Sequence, residues 1–326
     1  MKADVLRLLR ENAKGMTAEQ IATVLGVSVA AVKTVIRQLV AEGYDIDKED
    51  GAGYRLISYP EVITAAEIMS RVRTQWAGKK VYYRNETEST NEDARELAEE
   101  GMEHGALVVA KHQTGGKGRR GRSWECESGN SVAMSLLLHP EFSPEKAPML
   151  TLLMALSVAE VLEKLTEADI KIKWPNDILI NRKKVCGILT EMRAEEGTID
   201  HVVVGVGINV NQNGMPEEIA GFATSLLMEM GQRYGRADIM VAIMEYFEGY
   251  YDDFLEHLDL SAVVDAYDSY LINRGAQVKV LDPQGEYTGT AQGINDYGEL
   301  IVQKDDGTFA RVSSGEVSVR GIYGYV

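Results

Sequence analysis

The stretch between residues 64 and 273 alternates strand-like apolar runs with helical patterns, and this alternation constrains the fold most. Short apolar runs bounded by turn residues predict strands at 106–110, 132–138, 185–192 and 202–206. Apolar residues at helical spacing predict helices at 64–71, 91–100, 146–165 and 237–258. Because strands alternating with helices build a layered sheet, we predict an α/β (α+β) class for this region.

The first 60 residues follow a different pattern, in which three short helices precede a hairpin. Thr17 and Gln20 have the spacing of a capping box, and Ser28 is placed to cap the third helix. Two strand-like segments then flank a glycine-containing turn at 50–53. This order predicts a winged helix-turn-helix, a layout typical of DNA-binding modules.

The chemistry of this module supports DNA binding less strongly than its layout does. Residues 1–60 contain eight Lys/Arg and eight Asp/Glu, so their formal charge is zero, whereas DNA affinity depends on neutralising phosphates. On the third helix, the candidate DNA-binding residues are Ser28, Lys33, Thr34 and Arg37. A module that serves only packing or dimer geometry is the alternative.

Residues from 275 onward read as short strands interrupted by Gly- and Asp-containing turns, which predicts a small β-barrel. We therefore predict three domains, at residues 1–60, 64–273 and 275–326. The chain has a formal charge of −16, 45% apolar residues and two cysteines, so a disulfide framework is not expected. Arg7 and Arg10 interrupt the apolar start, and the longest nearly apolar run, 147–159, is short for a membrane span. We expect a cytoplasmic protein without a membrane segment.

The segment from Gly115 to Trp124 contains four glycines and four cationic residues in ten positions. Residues 104–124 contain no carboxylate, although the whole chain is acidic. Glycines let backbone N–H groups approach an anion closely, and arginine adds planar, bidentate donors. The segment therefore favours an anionic ligand; a solvated basic loop or a nucleic-acid patch is the alternative.

Three further segments carry polar residues or glycines at the ends of predicted elements. The run Lys173-Trp174-Pro175-Asn176-Asp177 precedes a predicted hairpin that continues through Lys184 and Gly187. Gly205 and Gly207 interrupt the apolar strand at 202–210. They indicate either that another group approaches the strand backbone closely or that neighbouring strands pack closely there. Ser89, Thr90 and Asn91 are placed to cap the helix at 91–100.

Together and in this order, these segments resemble the biotin–protein ligase family, in particular its bifunctional bacterial members, which are also biotin operon repressors. The motif Ser314-Gly315-Glu316-Val317-Ser318-Val319-Arg320 near the end extends the resemblance over essentially the whole chain. The resemblance implies a central mixed-sheet ligase domain of the class II synthetase/biotin–lipoyl ligase type, with helices packed on one side of its sheet. It also implies an SH3-like C-terminal domain.

The implied reaction joins biotin and ATP to form biotinyl-5′-AMP and pyrophosphate, with Mg²⁺ as cofactor. Biotin then passes to a lysine of the biotin carboxyl carrier protein or domain of a carboxylase. The resemblance further implies operator DNA as a partner, repression that responds to biotin, and a homodimer promoted by the ligand.

The resemblance also assigns roles to residues of this sequence. Lys184, Arg119 and Asp177 are the catalytic candidates, and Asp177 is also the candidate Mg²⁺ ligand. The biotin-binding candidates are Ser89, Thr90, Asn91, Gln113, Gly116, Lys117, Arg119, Arg120, Gly121, Lys184, Gly187 and Gly205. The nucleotide-binding candidates are Arg119, Arg122, Trp124, Asn176, Lys184, Ile208, Asn209 and Arg320.

Two other functions are compatible with parts of this pattern. A lipoate–protein ligase shares the fold class and the adenylation chemistry. The glycine- and arginine-rich segment from Gly115 to Trp124, called the Gly/Arg loop below, and the N-terminal module argue against it. A ligand-sensing transcription factor without catalysis is disfavoured by the complete loop, Lys184 and Asp177.

Overall fold

The computed structural model describes residues 1–49, 53–124, 129–282, 285–313 and 318–321. These residues form two compact units. Unit 1 comprises Met1–Arg73 with Gly235–Val241, and unit 2 comprises Thr74–Tyr234 with Ala242–Val326.

Unit 1 contains the predicted helices and hairpin of the N-terminal module. Its elements are α1 (Lys2–Glu11), α2 (Ala18–Leu25), α3 (Val29–Ala41), β1 (Asp45–Glu49), β2 (Gly53–Ser58) and α4 (Ala65–Met69). The predicted capping box is present, with Gln20 N donating to Thr17 Oγ1 and Thr17 N donating to Gln20 Oε1. Ser28 caps α3 by accepting from Ala31 N, and β1 pairs with β2 in antiparallel fashion. These observations confirm the helix-turn-helix fold.

The apolar residues of this module form one core, and its polar candidates lie outside it. Leu6, Leu9, Ile21, Val32 and Leu39 are fully or almost fully buried. The four DNA-binding candidates are exposed on or beside α3, where Arg37 donates to Lys33 O and Thr34 Oγ1. A polar face is therefore available on the predicted recognition helix.

A buried carboxylate on α4 binds side chains from α1 and from the residue before β1. Glu67 is only 1% exposed and accepts two bonds from Arg10, at 2.7 and 2.9 Å, and one from Tyr44 Oη at 2.6 Å. Arg71 Nε donates to the same carboxylate at 2.9 Å. The pKa of the Tyr44 hydroxyl is raised, mainly because the hydroxyl is buried and secondly because it donates to Glu67. The network satisfies a charge that would otherwise be costly to bury.

Replacing Glu67 with alanine should destabilise unit 1 by ~3–5 kcal/mol, because it removes the buried acceptor that Arg10, Arg71 and the Tyr44 hydroxyl share. Thermal unfolding together with amide hydrogen exchange of α1 measures this effect. Glu42→Ala removes the exposed partner of Lys2 and is the matched control, with an expected cost of ~0–1 kcal/mol. Equal, small losses in the two variants would contradict the structural role of Glu67.

Unit 2 is built on a mixed sheet in the order β3-β4-β5-β9-β8-β7-β6, in which β3 and β4 are parallel and the other neighbours antiparallel. Its strands are β3 (Val81–Thr87), β4 (Leu107–Gln113), β5 (Ser131–Leu138), β6 (Ile170–Lys173), β7 (Asp177–Ile180), β8 (Lys183–Glu195) and β9 (Thr198–Asn209). Its helices are α5 (Thr90–Glu99), α6 (Met149–Thr166), α7 (Leu226–Met230), α8 (Arg236–His257) and α9 (Val264–Tyr270). The first residues of α8 belong to unit 1.

The predicted elements are present, but several strands extend beyond their apolar runs. Strands β8 and β9 continue into polar ends, where pairs such as Glu195 with Thr198 maintain the ladder. Backbone pairing needs no apolar side chain, so hydrophobicity underestimates strand length at exposed ends. Strands β3 and β6 were not predicted, because their charged residues hide the apolar alternation.

The expected packing of helices on one side of the sheet is wrong for α5. Asn91 of α5 bonds the Glu191 side chain, whereas Thr151 of α6 bonds the Thr190 side chain. Adjacent strand residues point to opposite faces, so α5 and α6 pack on opposite faces of β8. The α5 face carries the residues that build the site described below.

The C-terminal part of unit 2 is an antiparallel sheet in the order β13-β12-β11-β10-β14. Its strands are β10 (Gln277–Leu281), β11 (Tyr287–Ile294), β12 (Leu300–Lys304), β13 (Phe309–Val312) and β14 (Ser318–Gly321). Trp174 Nε1 donates to Gly298 O at 3.1 Å, and Ile294 N donates to Asp268 Oδ1 at 3.0 Å. These bonds hold the small sheet against the segment that follows β6 and against α9. The predicted fold class, a helix-turn-helix followed by a mixed sheet and a C-terminal antiparallel sheet, is confirmed, and the predicted domain boundaries stay predictions.

Among the described residues, no single helix is long and apolar enough to cross a membrane; α2 and α3, bent by 110°, pass that test only as a pair, by length and composition.

Candidate active site

Three glycines remove the side chains from one face of β8 and β9. Gly187 pairs directly with Gly207, and Gly205 pairs with Leu189. A Cβ at Gly207 would overlap the Trp124 indole, and one at Gly205 would overlap Asn91 Oδ1. The glycines therefore form a groove in which Trp124 and Asn91 reach the sheet backbone. Of the two alternatives for Gly205 and Gly207, the structure therefore favours close approach by other side chains over strand packing alone.

A cluster of small polar side chains closes one end of this groove. Thr90 donates to Gln113 Oε1 both from its backbone N, at 2.7 Å, and from Oγ1, at 3.0 Å. Ser89 occupies the N-cap position of α5, but its side chain makes no capping bond, so the predicted cap is not formed by that hydroxyl. Ser89, Thr90 and Asn91 are each less than 5% exposed. Such groups suit a compact ligand that needs both donors and acceptors.

The Gly/Arg loop folds back on itself beside the groove. Trp124 N donates to Gly116 O at 2.8 Å, and Gly118 N donates to Arg122 O at 2.7 Å. Lys117 forms an ion pair with Glu92. These bonds place the indole of Trp124 against Gly207, while Arg119, Arg120 and Arg122 lie along the loop.

Two cations mark the opposite end of the groove. Lys184 Nζ lies 2.6 Å from Asp177 Oδ1 and 5.4 Å from the centre of the Trp124 ring. Arg119 Nη1 donates to Asn176 Oδ1 at 3.2 Å. Burial lowers the pKa of the Arg119 guanidinium, and the charge of Asp177 opposes that shift. An anionic group at this position would meet both cations at once.

The predicted site residues line two adjoining spaces, an inner pocket and an outer cleft. The inner pocket is lined by Ser89, Thr90, Asn91, Gln113, Lys117, Gly118, Arg119, Trp124, Met134, Asn176, Lys184, Gly187, Ile188, Leu189, Gly205, Val206 and Gly207. The outer cleft includes Gly116, Arg119, Arg120, Arg122, Trp124, Asn176, Asp177, Lys184 and Asn209. Trp124 Nε1 is buried and has no hydrogen-bond partner in the described part of the chain, which leaves a donor for a ligand.

Among the described side chains, two predicted site residues are not brought to these spaces, and a third lies outside the described side chains. Ile208 is fully buried, and neither its side chain nor Gly121 lines the pocket or the cleft. The backbone of Arg320 lies in β14, and its side chain is outside the described part of the structure. Asn209 reaches the cleft, but its amide already bonds Thr224 O and Gln212 Nε2. Trp174 and Cys186 are buried, and Trp174 also borders the outer cleft.

Sequence reasoning missed several residues at the site. Ser135 is fully buried and contacts both Thr90 and Asn91, and Glu191 contacts Asn91. A serine within the apolar run 132–138 was the available signal for Ser135. The segment after β9 contributes Met215, Pro216, Ile219 and Phe222 among other residues to the outer cleft, which no local pattern indicated.

Comparisons with known proteins agree with this arrangement. Residues 83–209 match the Biotin/lipoate A/B protein ligase family, residues 275–320 match the Biotin protein ligase C terminal domain, and residues 2–55 match an HTH domain. The bifunctional ligase/repressor BirA of Bacillus subtilis is 39% identical over 294 residues, which cover 90% of each chain. This chain belongs to the family of bifunctional biotin protein ligases and repressors.

Other members are similar over most of their own length. The bifunctional ligase/repressor BirA of Escherichia coli is 29% identical over 96% of this chain and 95% of its own. The biotin protein ligase of Aquifex aeolicus, solved in complex with biotin and ATP, is 33% identical and superimposes with a TM-score of 0.66. That comparison covers 74% of this chain and 99% of the Aquifex chain, so the ligase part of the family fold is present here.

Proposed function

We propose that this protein activates biotin with ATP to biotinyl-5′-AMP and transfers the biotin to a lysine of a biotin carboxyl carrier protein or domain. Family membership supports this activity, and so does the order of chemical groups along the inner pocket. The inner pocket has neutral donors and acceptors at one end, a glycine groove in the middle and two cations at the other. Biotin has the same order of a ureido ring, an apolar chain and a carboxylate.

The biotin ureido ring is proposed to lie against Ser89, Thr90 and Gln113. Its valeryl chain follows the Gly187 and Gly205 groove, with Asn91, Gly116, Lys117, Arg120 and Gly121 as the remaining candidates from the resemblance. The biotin carboxylate then lies near Lys184 and Arg119. These cations would bring it to the α-phosphorus of ATP and would stabilise the charge that develops as pyrophosphate leaves.

The nucleotide is proposed to occupy the outer cleft. Arg119 and Arg122 would contact phosphates, Trp124 would face the base or ribose, and Asn176 would position Arg119, to which it is already bonded. Ile208 and Arg320 stay candidates from the resemblance, and Asn209 would act through its network with Gln212. A lysine amine of the carrier then attacks the mixed anhydride, and AMP leaves.

Magnesium is proposed to arrive with ATP. In the described residues no three His, Cys, Asp or Glu side chains cluster as a metal site, and Asp177 Oδ1 is paired with Lys184. One carboxylate beside phosphate oxygens is a donor set that magnesium accepts, so Asp177 fits a metal held mainly by the nucleotide. When bound, the ion would neutralise charge on the triphosphate.

Incubation with biotin, MgATP and an apo carrier domain tests the ligase function. The expected result is one covalent biotin on the carrier, measured by mass spectrometry. Pyrophosphate exchange with biotin or lipoate as the acid separates this function from a lipoate ligase. Exchange that depends on lipoate alone, or no carrier modification by a folded protein, would overturn the proposal.

The HTH domain supports a second proposed activity, repression of a biotin operon by a homodimer that forms on the operator when the adenylate is bound. The module is proposed to contact DNA through Ser28, Lys33, Thr34 and Arg37, all exposed. Because residues 1–60 have a formal charge of zero, we expect one copy of the module to bind DNA weakly. Two copies on paired half-sites would add their contacts to the DNA. We propose a cytoplasmic location, in keeping with these partners.

DNA binding by this protein should strengthen when biotin and MgATP are added. Lys33→Ala/Arg37→Ala should weaken it at least ~10-fold and lower the salt dependence by about two counterions per half-site, because two phosphate contacts are lost. Gel-shift titration on the DNA upstream of its own gene measures both effects. Arg7→Ala on α1 is the control. No shift with ligand at low salt, with ligase activity intact, would contradict the repressor role.

A further inference from the structure

The chain between β9 and α7 lies alongside the start of β8, at the cationic end of the inner pocket. Lys184 N donates to Phe222 O at 2.7 Å, and Thr224 N donates to Lys184 O at 2.9 Å. The backbone N–H and the backbone carbonyl of Lys184 are therefore both bonded to residues 222–224. Phe222 and Ala223 also line the outer cleft. One pair of backbone bonds thus joins the proposed catalytic lysine to the wall of the proposed nucleotide site.

Thr224 is the centre of this junction. It is 0% exposed, and its carbonyl oxygen accepts from Asn209 Nδ2 at 3.0 Å. Its hydroxyl lies 2.6 Å from Glu229 Oε1 on α7. Because a carboxylate oxygen only accepts, the single hydroxyl proton of Thr224 is donated to Glu229. Thr224 therefore connects Glu229 to the backbone of Lys184 and to the side chain of Asn209.

The second oxygen of Glu229 binds the turn that leads into β8. Asn181 Nδ2, in the turn between β7 and β8, donates to Glu229 Oε2 at 2.6 Å. Burial acts to raise the pKa of the Glu229 carboxyl, but the bonds from Asn181 and Thr224 lower it below its ordinary value. The carboxylate is therefore charged at neutral pH, and hydrogen bonds to a charged group are the stronger class.

The segment at residues 222–224 is held less firmly than the strands around it. It belongs to no named helix or strand, so its position depends on individual hydrogen bonds. Lys184 instead belongs to β8, which pairs with both β7 and β9. The polar end of the inner pocket is also held independently, because Thr90 bonds Gln113. Loss of the Glu229 bond should therefore loosen residues 222–224 and leave Lys184 and the polar end in place.

We infer that Glu229 is a positioning residue that fixes residues 222–224 through the Thr224 hydroxyl and so sets the affinity of the outer cleft for ATP. Glu229 itself lines neither the inner pocket nor the outer cleft. Without its bond, the cleft wall in this segment loses its fixed place, and Asn209 loses a fixed acceptor. This role rests on the proposed ligase function and concerns the nucleotide side of that site.

Biotin-dependent pyrophosphate exchange by the full chain tests this role. Glu229→Ala should raise the KM for ATP at least about fivefold, because a charge-assisted hydrogen bond that holds the cleft wall is lost. The kcat and the KM for biotin should change by less than about twofold, since Lys184 and the polar end keep their own supports. Glu229→Gln should recover most of the loss, because its amide oxygen can accept from Thr224 and the Asn181 amide can turn to accept from its NH₂ group.

Changes at Thr224 test the route from Glu229 to the cleft. Thr224→Val replaces the hydroxyl with a methyl group and should raise the KM for ATP as much as Glu229→Ala does. Thr224→Ser keeps the bond and should stay within about twofold of wild type. Combining Thr224→Val with Glu229→Ala should add less than about twofold, because both changes remove the same bond. Additive losses, or a fall in kcat as large as the rise in KM, would overturn the inference.

Glu217→Ala, an exposed change in the chain between β9 and α7, is the matched control and should leave the KM for ATP unchanged. Amide hydrogen exchange supplies a readout that does not depend on catalysis. In Glu229→Ala, peptides covering residues 222–224 should exchange hydrogen at least about tenfold faster, while those covering β9 should not change. Faster hydrogen exchange with an unchanged KM for ATP would make the bond structural only and would also overturn the inference.

Failure of this role and failure of the proposed function give different results. A folded wild-type protein without biotin-dependent pyrophosphate exchange removes the ligase function itself. An active wild type, with a Glu229→Ala variant that keeps the wild-type KM for ATP, removes only the role of Glu229. If Glu229→Ala does not fold, Thr224→Val against Thr224→Ser makes the same comparison, and equal KM values for ATP in those two variants count against the inference.

Discussion

Replacing Lys184 with alanine is expected to abolish adenylate synthesis while leaving biotin binding largely intact. Lys184 is the ammonium group at the cationic end of the inner pocket, 2.6 Å from Asp177, and its backbone is held by bonds to Phe222 and Thr224. A charge-assisted contact contributes ~1.5–3 kcal/mol, and more when it strengthens in the transition state. We expect kcat for biotin-dependent pyrophosphate exchange to fall at least ~100-fold.

Lys183→Ala is the matched control, because Lys183 is the preceding residue on β8 and lines neither the pocket nor the cleft. It should keep exchange within about twofold of wild type, since it removes no contact to the proposed reacting atoms. Biotin titration of both variants separates binding from chemistry. Exchange at the wild-type rate in Lys184→Ala would show that the assignment of Lys184 is wrong.

Replacing Arg119 with glycine should let the reactive adenylate escape from the site. The Arg119 side chain joins the Gly/Arg loop to Asn176 at 3.2 Å, and Arg119 lines both the inner pocket and the outer cleft. Without Arg119, the Gly/Arg loop loses its hydrogen bond to Asn176. Because the loop is rich in glycine, holding it in one conformation over the adenylate then costs conformational entropy that this bond no longer offsets. Biotinylation of a bystander protein should rise at least ~10-fold, a loss of ~1.4 kcal/mol in retention.

Mass spectrometry of a lysine-rich bystander measures this leakage, with adenylate synthesis quantified in the same mixture. Arg193→Gly, an exposed change on β8 paired with Glu99 and Glu195, controls for the loss of a cation. Normal synthesis with unchanged bystander labelling would mean that Arg119 does not retain the adenylate.

Much of the site could be predicted from short motifs, because the chemistry of an anionic ligand restricts which residues can be used. The cations and glycines at 115–124, the triplet at 89–91 and the Lys184 hairpin each lie within a few positions in sequence. The winged helix was also predictable, because capping residues and helical spacing are signals contained within a few neighbouring positions.

The sequence alone therefore determined the fold class, most of the elements and the chemical character of the pocket. Only the tertiary structure decided which face of the sheet α5 covers, where Trp124 lies on Gly207 and that Glu191 reaches Asn91. Those contacts join positions far apart in the chain, and no local propensity specifies them. They depend on strand register, in which a shift of one residue would turn Gly205, Gly207 and Glu191 to the opposite face.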